Sequence, residues 1–168
     1  MLEVITYPNP LLRQISKPVE VFDEELHTLL DEMYEVMLAK NGVGISAIQV
    51  AKPIRALLIC IPDEEGNQHK EDLLEVINPE IIEKDGEILF NEGCLSVPEF
   101  YEDVKRASSI KIAYKDRYGE SKEIVAEDYL AVAFQHEIDH LNGILFIDKL
   151  PILKRKKFEK GLKQKHKF

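Results

Sequence analysis

Between residues 23 and 40 the apolar positions Leu26, Leu29, Leu30, Met33, Val36 and Met37 recur at three- and four-residue steps. That spacing gathers the side chains on one side of a helix, so an amphipathic α-helix is predicted there. Asp23 stands where a side-chain oxygen caps the first turn, and Glu24 and Glu25 favour the positive end of the helix dipole. Asn41-Gly42 should end the helix and lead into GVGISAIQV, whose glycines allow a sharp turn or a close approach to a ligand. The period then changes. Residues 54–61, 75–82 (broken at Asn78-Pro79) and 86–90 read as strands, and residues 109–114 with 122–125 read as a hairpin around DRYG. From about residue 128 to 142 helical spacing returns through Leu130, Ala131, Phe134, Ile138 and Leu141, with Gly143 suited to the helix end. Helix, strands, helix is the order of an α+β fold: mixed or antiparallel sheets around a central helix, with one helix before it and a basic one after.

At 168 residues the chain is long enough to bury a core by itself, and one domain over residues 1–168 is expected. No segment approaches the roughly 20 apolar residues of a membrane span, and the N-terminus lacks the cationic start and apolar run of a signal peptide. The expectation is a cytoplasmic protein with neither a membrane nor DNA as partner. Cys60 lies in the apolar run ALLICI and Cys94 follows a glycine in the loop-like NEGCLS, so no disulfide is expected in a reducing compartment. No glycine-rich phosphate loop is present, which sets nucleotide chemistry aside.

The net charge of −9 conceals an asymmetry. Lys154, Arg155, Lys156, Lys157, Lys160, Lys163, Lys165 and Lys167 crowd into residues 154–168 against Glu159 alone, leaving an acidic body with a basic tail expected to be helical. Such a tail attracts polyanions, or forms a solvated helix that binds nothing.

The candidate chemistry sits on the second helix, in QHEIDHLNG (135–143). At 3.6 residues per turn His136 and His140 lie roughly 40° apart around the axis, so both imidazoles can reach one ion. Glu137 falls beside them, displaced as a group that touches an attacking water rather than the metal. A chance His-Glu-x-x-His in this length arises on the order of once in a hundred chains. Two histidines are not a complete centre, because a catalytic zinc or iron site takes about three protein ligands and keeps one position open. A third histidine of the metzincin kind would stand at 146, where the chain has Phe146. Glu159 is at a thermolysin-like separation but is surrounded by cations. Cys94 is the better candidate, since a thiolate binds such metals well and the preceding glycine allows close approach. A metallopeptidase and a non-catalytic structural metal module are the competing readings. The latter needs a fourth protein ligand, and none of His27, His69 and His166 lies beside the motifs.

Three segments together, GVGISAIQ (42–49), EGCLS (92–96) and QHEIDHLNG (135–143), resemble the three motifs of peptide deformylase, in that order. TYPNPLLR (6–13) resembles the start of the bacterial members. The resemblance implies a hydrolase that removes the N-formyl group from the formyl-methionine of nascent polypeptides and releases formate. It implies Cys94, His136 and His140 as ligands of one Fe²⁺, which Ni²⁺, Co²⁺ or Zn²⁺ may replace, and Glu137 as the group that takes a proton from water and passes it to the departing amine. Gln49 and the backbone N–H of Leu95 would stabilise the negative oxygen. The backbone at Val43, Gly44 and Ile45 would pair with N-formylmethionyl peptides as with an added strand, and Val43, Phe90, Tyr129, Val132 and Ala133 would line the methionine pocket. Glu92, Arg106 and Asp139 are expected to form a buried network that orients Cys94 and His136. In bacterial members a C-terminal helix can dock on the ribosome, which would give the basic tail a partner. The chain departs from the family pattern at Ser46, commonly alanine, and at Tyr101, commonly a substrate-contacting arginine.

Overall fold

A computed structural model describes residues 2–165; His166, Lys167 and Phe168 of the predicted basic tail lie outside the described residues. The predicted first helix is α1, Glu24–Ala39, and the Asp23 carboxylate accepts from the Leu26 N–H at 3.1 Å as its cap. Leu26, Leu30, Met33 and Met37 form its buried stripe, and Asn41 leaves the helix at φ 57°.

A five-stranded antiparallel sheet follows, in the order β1 (Gly44–Ser46), β2 (Ala56–Ile59), β3 (Leu74–Asp85), β6 (Ser109–Lys115) and β7 (Ser121–Glu127). A separate hairpin pairs β4 (Ile88–Cys94) with β5 (Val97–Arg106). Helix α2, Asp128–Leu141, follows β7 directly.

The alternation of strand side chains explains the layers. From β2, Ala56 and Leu58 pack with α1, whereas Leu57 and Ile59 pack with Phe134, Ile138 and Leu141 of α2. Both faces of this strand are therefore covered, which is why ALLI is apolar throughout. A third cluster joins Leu12, Val97, Val104 and Phe146 to Phe158 of α3 (Ile152–Lys165).

Three strand expectations change. Asn78-Pro79 does not divide the strand: β3 runs through it with a register shift between Ile77 and Glu80. The kink is held because the Asn78 amide both donates to the Val19 carbonyl (2.9 Å) and accepts from the Val19 N–H (2.8 Å). Strands β1 and β5 were not foreseen. Cys94 stands at the end of β4, opposite Val97, rather than in a loop; a bulge between Glu92 and Cys94 re-aims the strand there.

Candidate active site

Helix α2 is buried on nearly every side, and its His136, Glu137 and His140 are buried with it. The β4–β5 hairpin brings Cys94 against that helix. Cys94 Sγ lies 3.3 Å from His140 Nε2, and His140 Nε2 lies 3.2 Å from His136 Nε2. A tetrahedral ion about 2.0–2.3 Å from each donor would space them about 3.3–3.8 Å apart, close to what these side chains already hold. Among the described residues these three alone form a His, Cys, Asp or Glu cluster fit for a metal ion.

The surroundings fix His136, whereas His140 Nδ1 is buried without a hydrogen-bond partner. His136 Nδ1 is 2.8 Å from Glu92 Oε1; an N–H donated there leaves the Nε2 lone pair facing Cys94 and His140. Arg106 meets Glu92 through two N–H groups (2.7 and 2.8 Å) and Asp139 through a third (2.6 Å). The expected Glu92, Arg106 and Asp139 network is thus formed, and Arg106 and Glu92 are both buried. Burial would raise the Glu92 carboxyl, but the hydrogen bonds from Arg106 and His136 outweigh it and hold the group below the usual carboxylate range. Burial also opposes charge on His136, yet Cys94 and Glu92 raise it well above the ordinary imidazole value. His140 is pushed well below that value by burial and by the neighbouring His136 charge.

Glu137 is different. Burial pushes its carboxyl up to about 7, and its Oε1 has no hydrogen-bond partner. A Cβ at Gly44 would stand 2.8 Å from Glu137 Oε2, so any larger residue there would crowd the carboxylate. Gln49, on the 3₁₀ turn Ala47–Val50, has its amide fixed from both ends. Its Oε1 accepts from the Ser46 N–H (2.9 Å) and the Ser46 hydroxyl (3.2 Å), while Nε2 donates to Ser96 Oγ (3.1 Å) and faces Cys94 Sγ (3.5 Å). The extra hydroxyl of Ser46 is thereby satisfied.

A cavity of about 790 Å³ opens onto this cluster, with Gln49, Cys94, Leu95, His136 and Glu137 in its wall. Val43, Gly44, Phe90, Tyr129, Val132 and Ala133 also line it, and the Phe90 and Tyr129 rings stack at 5.0 Å. Ile45 does not: its side chain is in the core with α1. Tyr101 lines the outer wall at 67% exposure and lies against Gly93, where a Cβ would come within 2.3 Å of the ring.

The family model for polypeptide deformylase matches residues 1–156. The chain belongs to the polypeptide deformylase family. A peptide deformylase of Wolinella succinogenes is 69% identical over 165 residues, which cover 98% of this chain and 97% of that protein. One from Helicobacter pylori strain J99 is 58% identical over 99% of each chain. Among solved structures, the peptide deformylase of Legionella pneumophila is similar at TM-score 0.87 and 40% identity, covering 100% of this chain and 99% of that one. That of Ehrlichia chaffeensis, in complex with actinonin, reaches TM-score 0.90 at 35% identity with the same coverage. The chain is accordingly a metal-dependent hydrolase of protein biosynthesis that removes the N-formyl group from nascent peptides and acts on N-formylmethionyl substrates.

The competing readings find no footing in this deformylase-family fold. Glu159 pairs with Arg155 on α3, His27 faces the Arg117 carbonyl, and His69 faces Asp63. Among the described residues no fourth protein ligand joins the cluster. Two contributors escaped sequence reasoning. Ser96 is fully buried beneath Gln49, and the available signal was its place within EGCLS. Gln135 accepts from the Ala107 N–H and donates to the Ala107 carbonyl, tying α2 to the strand connection; only its burial identifies it. No helix among the described residues is long and apolar enough to cross a membrane.

Proposed function

We propose that Cys94, His136 and His140 hold one Fe²⁺, replaceable by Ni²⁺, Co²⁺ or Zn²⁺, and that Glu137 is the proton carrier of deformylation. One observation carries this reading: a buried carboxyl, one oxygen without a partner, beside three converging candidate metal donors in the wall of a peptide-sized cavity. The metal, when bound, would supply Lewis-acid chemistry, acidifying water and polarising the formyl carbonyl.

Every other step falls to side chains and backbone. Glu137 takes the proton of the attacking water and delivers it to the nitrogen released from formate, one carboxyl serving in both directions. Gln49 Nε2, oriented by Ser46 and Ser96, and the Leu95 N–H donate to the oxygen that becomes negative, contacts whose loss costs about 10²–10³ in rate. Phe90, Tyr129, Val132 and Ala133 enclose the methionine side chain beside Val43.

Residues 43–45 align the peptide. Strand β1 is the edge of its sheet, and the Cys60 N–H donates to the Val43 carbonyl at 2.8 Å. By the alternation of an antiparallel ladder, the N–H and C=O of Gly44 then point away from β2, toward an incoming strand. Main-chain pairing ignores sequence, as an enzyme acting on many nascent chains requires. Residues 1–168 are read as one catalytic domain, acting in the cytoplasm where nascent chains emerge and where Cys60 and Cys94 stay free thiols. The exposed cations Lys156, Lys157 and Lys160 of α3 support docking on ribosomal RNA phosphate.

The test is formate release from formyl-Met-Ala-Ser by protein purified without oxygen, beside Glu137→Ala, with iron quantified in both. Formate from the parent alone, with iron in both, is expected. Equal turnover by the variant, or loss of its metal, would reassign Glu137.

A further inference from the structure

Gln68 lies outside all three motifs, yet its side-chain amide reaches the start of the proposed substrate edge. Nε2 donates to the Gly42 carbonyl at 2.9 Å and to the Cys60 carbonyl at 2.8 Å. Those two carbonyls belong to the chain just before β1 and just after β2, where the ladder of the two strands gives out beyond the Cys60 N–H to Val43 bond. Two acceptors brought together there need a donor between them, and one –NH₂ group has a hydrogen for each.

The rest of the loop is built to deliver that amide. The Asp63 carboxylate accepts from the N–H groups of Glu65 and Asn67, and the Asp63 N–H donates to the Asn67 carbonyl. His69 Nε2 closes on Asp63 Oδ2 at 2.7 Å, and Cys60 Sγ faces the His69 carbonyl at 3.3 Å. Gln68 is thus flanked by two anchored residues. On the other side, the Gly42 N–H donates to the Met37 carbonyl at the end of α1. Gly42 is held at its N–H by the helix and at its C=O by Gln68, and the next residue begins the 43–45 edge.

We infer that Gln68 is a positioning residue for substrate: it braces the backbone of residues 42–44 so that the free edge of β1 is preformed when a peptide arrives. The inference rests on the reading of residues 43–45 as the peptide-pairing edge. It makes no contact with the reacting atoms, so its effect belongs in binding rather than in chemistry.

The test compares the metal-loaded full chain with Gln68→Met, which keeps the length and bulk of the side chain but has no N–H to donate, and with Gln68→Ala. The expected result for Gln68→Met is a KM for formyl-Met-Ala-Ser raised about fivefold, the scale of one lost neutral hydrogen bond. Its kcat and metal content should match the parent, and amide hydrogen exchange at Gly42 and Cys60, whose N–H groups are bonded to the Met37 and Val43 carbonyls, should quicken. Gln68→Ala should reproduce this. An unchanged KM with unchanged exchange would overturn the brace, as would a fall in thermal stability alone with the parent KM. The hydrogen-exchange comparison needs no turnover, so it judges the brace even if the parent released no formate, a result that would instead overturn the deformylation reading.

Discussion

Arg106 is 6% exposed and directs three N–H groups onto Glu92 and Asp139, and Glu92 in turn holds His136 Nδ1. Removing the guanidinium leaves the Glu92 carboxylate buried without its charge partner, which costs about 3–5 kcal/mol. Arg106→Ala should therefore lower both the melting temperature and the metal retained per chain, measured by calorimetry and metal analysis; full metal content would detach the network from the proposed metal site. At this scale the sequence was readable where chemistry demands particular atoms. The histidine pair announces itself by its four-residue spacing, and Cys94 by being a thiol beside a glycine. Ser46 and Ser96 were not readable as the two ends of the Gln49 clamp, because a hydroxyl takes its role from whichever acceptor or donor the fold places next to it.

Helix α3 has two sides with different work. Phe158 is buried against Tyr7 and Phe100, with ring centroids 5.5 and 4.7 Å away, and Lys154 reaches Glu102 of β5 at 3.0 Å. Phe158→Ala should destabilise the protein by about 3 kcal/mol, read by urea unfolding. Reversing Lys156, Lys157 and Lys160 to glutamate should leave that stability and turnover of short peptides intact, and the proposed docking of α3 on the ribosome predicts loss of salt-sensitive co-sedimentation. Retained binding would remove α3 as the docking element. Among the elements, α1 and α2 stood out because a 3.6-residue period survives over 14 or more residues. β1 is only three residues long, too short to carry a period. β5 is masked by Pro98, by charges on both faces and by Glu99 at φ 65°, which breaks the two-residue alternation so that Val97, Phe100 and Val104 enter one core.

Asp148 joins distant parts of the molecule. It pairs with Arg13 near the N-terminus, accepts from the Leu145 N–H at 2.9 Å, and lies 3.5 Å from Arg155 of α3. Burial would raise its carboxyl, but the Arg13 hydrogen bond and the Leu145 N–H prevail and hold it below the ordinary value. A folded-state pKa below the unfolded one gives stability that is fully present above the unfolded value, about 4, and lost as pH falls through the folded value. Asp148→Asn should thus melt earlier than the parent at pH 7, with the gap narrowing below pH about 4. A gap that stayed constant with pH would mean the pair contributes through shape alone.

From sequence alone came the α+β order, helices α1 and α2, the basic end and the His136–His140 pair with Cys94 as a candidate third donor, because periodicity and ligand chemistry are local properties of the chain. Tertiary structure alone decided that the β4–β5 hairpin swings Cys94 onto α2, that Gly44 lies against Glu137, and that Gln68 spans two carbonyls from separate segments. Those facts depend on strand pairing and on burial from several directions at once, and neither is written in the spacing of residues along the chain.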